Sequence, residues 1–270
     1  MYQMTDADVA REFLQYRFIR SVFSRSVNRQ TEIALKGGFA MRAMFGSHRA
    51  TKDIDLQQDG SKIPLSRLQG MMRSAIREAL SDTGMTNVRI SEPKQTETVA
   101  RWKIGGITPA GSEIHLTIEV SRRGMPEQVK VVHGMNGKIK DVDVVTYDES
   151  AMAASKVIAL VAAPHRVAIR DVWDLDILIR MEARPPLDMI SFLNQEESVS
   201  MLYAKLEMMT WEGFQTEVAP YLDAKTRIEF KIDDFETMKI RVATSVEKWL
   251  SELSEINHNK RIETADFAPA

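Results

Sequence analysis

The chain has no cysteine. Without thiols it can form neither a disulfide nor a zinc–thiolate site, and such a composition fits a reducing cytoplasm. It also lacks an excess of either charge: 36 Lys and Arg stand against 38 Asp and Glu, a formal net charge of −2. A protein that coats nucleic acid through a general basic surplus is thereby excluded, and any nucleic-acid contact must be a local patch. No uninterrupted apolar run reaches the roughly 20 residues of a membrane span, so no membrane partner is expected. The opening, Met1-Tyr2-Gln3-Met4-Thr5-Asp6, has neither the basic nor the apolar region of a secretory signal. Internal repeats and low-complexity stretches are missing as well. The 270 residues leave room for one large or two small domains.

What is present gathers first around Lys36-Gly37-Gly38 and, a short way on, Asp53-Ile54-Asp55-Leu56. A glycine pair lets backbone approach a bulky anion, because neither residue carries a Cβ and both accept positive φ. If 53–56 is a strand, its period of two places both carboxylates on one face and Ile54 with Leu56 on the other. Two carboxylates so placed suit a hard divalent cation such as Mg²⁺, which takes oxygen ligands and usually holds substrate phosphates too. Taken singly, a glycine pair is more often a turn and an Asp-x-Asp more often solvated charge; their order and closeness carry the signal.

Thr5 to Asp8 offers an N-cap for a helix with Val9, Phe13, Leu14, Phe18, Val22 and Phe23 spaced along one face. Its other face carries Arg11, Arg17, Arg20, Arg25 and Arg29, read either as a solvated face or as a contact for a phosphate backbone. Ile33 to Leu35 reads as a buried strand, Phe39 to Phe45 as a helix starting at the glycines, and Leu65 to Leu80 as an amphipathic helix. A β-rich block follows, with strands at Val88–Ile90, Thr98–Ile104, Glu113–Val120, Val129–Val132 and Val142–Val145, and a hairpin turn at 135–138. In Glu113–Val120 the period of two sets Glu119 on the polar face beside His115 and Thr117, either as an exposed strand glutamate or as a third carboxylate. From Asp148 onwards the pattern is helical, broken at Pro164, Pro185-Pro186 and Pro220. Apolar positions at Ile190, Phe192, Leu193, Met201, Leu202, Leu206, Met208, Met209, Ile240, Val246, Trp249 and Leu250 read as bundle core. The expected domains are 1–147 and 148–258, with 259–270 a disordered tail.

The string Lys36-Gly37-Gly38, then Arg49-Ala50-Thr51-Lys52-Asp53-Ile54-Asp55-Leu56, resembles the opening of polymerase-β-like nucleotidyltransferases, and within them the AbiEii/AbiGii toxin family. A second segment fits the same pattern: Ser155-Lys156, followed by Arg170-Asp171, Asp174 and Leu175. Read without the resemblance, Lys156 is an ordinary surface lysine, and Asp171 with Asp174, three apart on one helix side, is a capping or ion-paired feature. The resemblance covers roughly Thr31–Leu56 and Ser155–Leu178.

The resemblance implies an α+β fold: a nucleotidyltransferase domain with a mixed sheet flanked by helices, followed by an α-helical bundle. It implies Mg²⁺-dependent transfer of a nucleoside monophosphate from a nucleoside triphosphate to an acceptor. Asp53, Asp55 and Glu119 would hold metal. Lys36, Gly37, Gly38, Arg42, Arg49 and Lys52 would meet the nucleotide, and Lys156 with Asp171 and Asp174 would complete the site from the helical half. Family members are toxins of toxin–antitoxin or phage-defence pairs, which implies a cognate antitoxin and, by analogy with tRNA-modifying members, an RNA acceptor. The position after the glycine pair, commonly Ser or Thr, is Phe39 here, so phosphate recognition there would fall to backbone. Two other outcomes stay open at this stage. One is a non-catalytic nucleotide-binding or interaction protein on the same fold; the other is a transferase acting on a protein or a small molecule such as an antibiotic.

Overall fold

The computed structural model describes residues 5–25, 33–135 and 138–266. Arg29 and the tip of the 135–138 turn lie outside them. The chain divides into two compact units: Met1–Asp148 with Tyr221–Thr226, and Glu149–Pro220 with Arg227–Ala270.

The first unit is built on a seven-stranded mixed sheet. Its elements in chain order are α1 (Asp6–Arg25), β1 (Ile33–Lys36), α2 (Gly37–Met44), β2 (Asp53–Gln58), α3 (Leu65–Leu80) and β3 (Thr86–Gln95). They continue with β4 (Val99–Ile107), β5 (Glu113–Ser121), β6 (Val129–Met135) and β7 (Ile139–Tyr147). The strand order is β3-β4-β5-β2-β1-β7-β6. β2 runs parallel to β5 and β1 parallel to β7, while the other neighbours are antiparallel.

Alternation decides which face of this sheet is core. Ile54, Leu56, Trp102, Ile104, Leu116, Ile118 and Val120 are buried, and α1 packs on this sheet against β5 and β7 and on α3. Directly opposed residues share a face, so the polar positions between these buried ones form rows on the opposite side. One row runs Asp55, Glu119, Arg101, Lys94; the next runs Asp53, Thr117, Lys103, Ser91.

The amphipathic reading of α1 holds for Leu14, Phe18, Val22 and Phe23, but Val9 and Phe13 are exposed. At that turn the packed side of the helix is Arg11, Glu12, Leu14 and Gln15, which leaves Phe13 on the outer side. Two of its arginines, Arg11 and Arg17, do internal work rather than facing solvent or phosphate, while Arg20 is exposed. Arg17 donates to the carbonyls of Ala79 at 2.9 Å and Ser81 at 2.7 Å, satisfying orphan groups at the end of α3. Arg11 donates to the His115 carbonyl at 3.0 Å and pairs with Asp8.

The second unit is helical: α4 (Glu149–Val161), α5 (Ile169–Arg180), α6 (Leu187–Ile190), α7 (Gln195–Met208), α8 (Trp211–Glu217), α9 (Ala224–Glu229) and α10 (Ile232–Asp266). α9 begins in the segment that groups with the first unit. Ile190, Leu202, Leu206, Met209, Val246, Trp249 and Leu250 are buried as the spacing predicts, whereas Phe192, Met208 and Ile240 are exposed. An aromatic cluster fills part of the core, with Trp211 stacked on Phe214 at 5.2 Å and Phe214 on Phe230 at 4.9 Å. α10 is helical through Asp266, into the region where a disordered tail is expected from the sequence. Among the described residues no helix is long and apolar enough to cross a membrane.

Candidate active site

β1 passes into α2 with no intervening loop, and Gly37 makes that turn possible. Its φ is +73°, and a Cβ there would lie 2.1 Å from Asp55 Oδ2. Only glycine meets both conditions, since a side chain would be strained in this backbone region and would collide with the carboxylate. Asp55 therefore sits directly against the N-terminus of α2. Gly38 makes room in the same way for Arg49, whose Nη2 would be 3.0 Å from an added Cβ, and for the Thr51 hydroxyl at 3.3 Å. The N-cap residue, Lys36, makes no side-chain bond to the helix start. The start of α2, with the positive end of its dipole, is thus bordered by a carboxylate, a guanidinium and a hydroxyl.

Lys36 lies opposite Asp55 across β1 and β2. Its ammonium donates to Gln57 Oε1 at 2.6 Å and lies 5.8 Å from the centre of the Tyr147 ring. Burial lowers its pKa, and Asp55 and Glu119 offset only part of that effect. Glu119 is on the same face, as alternation predicts, but it is engaged: Arg101 Nε donates to its Oε2 at 2.9 Å and Nη2 binds the same oxygen.

The remaining basic positions divide by role. Arg42 is tied to Glu12 of α1 at 2.7 Å, and Lys138 binds the other oxygen of that carboxylate at 2.8 Å. Burial would raise the Glu12 pKa, yet these two cations together hold it below the usual range. Arg49 is buried beside Gly38. Lys52 lies over the Tyr221 ring at 5.3 Å, and the Ala50 N–H donates to the Tyr221 carbonyl at 2.7 Å. The segment Tyr221–Thr226 thus braces the loop that carries Arg49, Thr51 and Lys52.

Among the described residues no group of three or more His, Asp or Glu side chains is arranged to hold a metal ion. Mg²⁺ does not require one, because it commonly takes one or two carboxylates and completes its shell with water and substrate phosphate. Asp53 and Asp55, both half-buried on one face of β2, fit that donor set, and the absence of a Cβ at Gly37 lets Asp55 lie directly against the start of α2.

The helical unit has its own charged cluster. Lys156 on α4 donates to Asp171 Oδ1 at 2.9 Å and Asp174 Oδ2 at 2.7 Å on α5, with the three side chains 8%, 6% and 0% exposed. This corrects the reading of Lys156 as an ordinary surface lysine. Arg166 reaches the other Asp171 oxygen at 2.6 Å. Burial would raise the Asp171 pKa, but Lys156, Arg166 and Arg170 outweigh it and the carboxyl is held low. Of the groups surrounding both clusters, sequence reasoning passes over Thr51, Gln57, Arg101 and Arg166. Thr51 is the one with a signal, since it lies inside the Arg49–Asp55 string.

The model of the family described as nucleotidyl transferase AbiEii toxin, type IV toxin–antitoxin system, matches residues 18–249. No curated protein matches the chain. The crystal structure of JHP933 from Helicobacter pylori is similar over 97% of this chain and 100% of that one, at 19% identity and a TM-score of 0.59. MenT4, a nucleotidyltransferase toxin from Mycobacterium tuberculosis, is similar over 97% of this chain and 94% of its own, at 14% identity and a TM-score of 0.53. At these identities the structural likeness concerns the fold, and it is a nucleotidyltransferase fold. The family match spans most of the sequence and includes both clusters, so the chain belongs to the AbiEii nucleotidyltransferase toxin family of type IV toxin–antitoxin systems.

Proposed function

We propose that this nucleotidyltransferase transfers a nucleoside monophosphate from a triphosphate to a hydroxyl of RNA, with tRNA 3′ ends as the first acceptor to test. The acceptor oxygen would bond to the α-phosphorus, the bond to pyrophosphate would break, and the hydroxyl proton would be released. The carrying observation is the fit of Asp55 Oδ2 into the space a Gly37 Cβ would fill, which joins carboxylate and helix N-terminus in one small region. Asp53 and Asp55 would hold Mg²⁺, which supplies charge neutralisation to the phosphates when bound. The N–H groups at Gly37 and Gly38 would receive phosphate oxygens, with Arg49 and Lys52 adding positive charge. Arg42, compensated by Glu12, would steady α2 against α1. Glu119, paired with Arg101, would set the charge around Lys36 rather than hold metal. Lys156 would serve the triphosphate, oriented by Asp171 and Asp174. A cognate antitoxin, a role in phage defence and a cytoplasmic setting complete the reading.

The non-catalytic alternative rests on Phe39. That ring is fully buried and packs edge-on against Tyr16 at 5.2 Å, so it takes no space from a phosphate, and the Thr51 hydroxyl stands beside Gly38 instead. The test is incubation with Mg²⁺, each radiolabelled triphosphate and total tRNA. Wild-type protein should label RNA, and Asp53→Ala should lose the label while remaining folded. Undiminished transfer by Asp53→Ala would sink the assignment, and label on protein instead of RNA would replace the acceptor.

A further inference from the structure

The rows of polar residues that begin at Asp53 and Asp55 do not stop at the proposed nucleotide site. They cross β5 and β4 to the edge strand β3, and there they border an open cleft of about 460 Å³ lined by Asn87, Arg89, Ser91, Lys103, His115 and Thr117. Thr117 links the two places, because it is opposite Asp53 on one side and Lys103 on the other. Lys103 is therefore two strands from Asp53, roughly 10 Å at the usual inter-strand spacing. Arg89 is opposite Gly105, itself opposite His115. Gly105 keeps the floor low there, since a Cβ would come within 3.2 Å of the His115 ring.

We infer that this cleft on β3, β4 and β5 is the acceptor subsite, binding the phosphate backbone of the RNA strand whose end reacts at Asp53 and Asp55. The inference rests on the RNA-transferase reading above and adds the residues that would bind the acceptor. Arg89 and Lys103 are exposed, and the acidic lining residue, Glu113, lies 3.3 Å from His115, so the two cations face outward with little local competition. A cleft for a folded protein partner would be expected to present an apolar anchor at its centre; here Ile104 and Leu116 are buried in the core, Ile107 stands at one end opposite Glu113, and the middle of the floor is Gly105 with strand backbone. The lining also holds no Phe, Tyr or Trp on which a base could stack. Recognition would thus go to phosphate and ribose rather than to base identity, giving salt-dependent and largely sequence-tolerant binding.

The test measures binding without turnover. A fluorescent single-stranded RNA of tRNA 3′-end sequence is titrated with the full chain, without nucleotide, at several salt concentrations. Arg89→Ala/Lys103→Ala should bind about tenfold more weakly, with the slope of log affinity against log salt reduced by roughly 1.4, that is 0.7 for each phosphate contact on a single strand. An RNA of scrambled sequence should lose affinity in the same proportion. Triphosphate binding by the double variant, read by thermal shift, should be unchanged. Wild-type affinity and slope in the double variant would overturn the cleft assignment while leaving the RNA acceptor standing. Failure of the wild type to bind RNA at all would overturn both.

Discussion

At the scale of single residues, the sharpest constraint is Gly37. Its glycine is required twice, by φ of +73° and by Asp55 Oδ2 at 2.1 Å from the added Cβ. Gly46 supplies the control: its φ is +70° and nothing lies within 4 Å of its Cβ. Both alanine variants should therefore show the backbone penalty, on the order of 1–2 kcal/mol. Only Gly37→Ala should also displace Asp55 and lose transfer by about 100-fold or more, read as kcat/KM. Equal losses of activity in the two variants would mean that Gly37 matters for stability alone. The glycine pair and Asp-x-Asp were legible because chemistry and spacing coincide there. Phe39 was misleading for the opposite reason: a linear motif names the residue after the glycines without saying which way the side chain points. The helix turns it into the core, and a threonine twelve positions later places a hydroxyl beside Gly38.

At the scale of elements, α5 carries two buried carboxylates whose titrations oppose each other. Asp171 is held low despite burial, by Lys156, Arg166 and Arg170. Asp176 is raised, because burial outweighs its pairs with Arg180 and Arg241. A carboxyl with a depressed folded-state pKa contributes stability above its unfolded value near 4, and that contribution fades as pH falls below it. A raised one weakens the fold above its folded pKa, and the penalty lifts as pH falls. Asp171→Asn should accordingly lower the urea midpoint at about pH 7, with the deficit shrinking progressively as pH falls below about 4. Asp176→Asn should cost less at neutral pH than at acid pH, relative to wild type. Parallel shifts at both pH values would show that neither charge is coupled to folding in the sense derived. Sequence spacing foresaw that Asp171 and Asp174 share a helix side. It gave no sign that Arg11 and Arg17 would be spent on carbonyls of the same unit, because arginine at helical spacing looks alike whether it faces water, phosphate or a neighbouring helix end.

At the scale of the whole molecule, the two units each hold one cluster, Asp53 and Asp55 in the first and Lys156 in the second. The division near Asp148 follows a visible change of period from two to 3.6, whereas the membership of Tyr221–Thr226 in the first unit has no counterpart in the local pattern. It depends on long-range pairing, such as the bridge between Arg49 and Leu222. Whether both clusters serve one nucleotide can be decided by mass action, since a ligand that binds only the folded state stabilises it by about 2.7 kcal/mol at one hundred times its Kd. Lys156→Met leaves two buried carboxylates short of a cation and should itself cost about 3–5 kcal/mol. The informative quantity is therefore the increment that Mg²⁺ with a mixture of the four triphosphates adds to each variant's midpoint. Wild type should gain, and Asp53→Asn and Lys156→Met should each lose most of that gain. A full increment in Lys156→Met would confine the lysine to holding α4 against α5 and leave the nucleotide to the first unit.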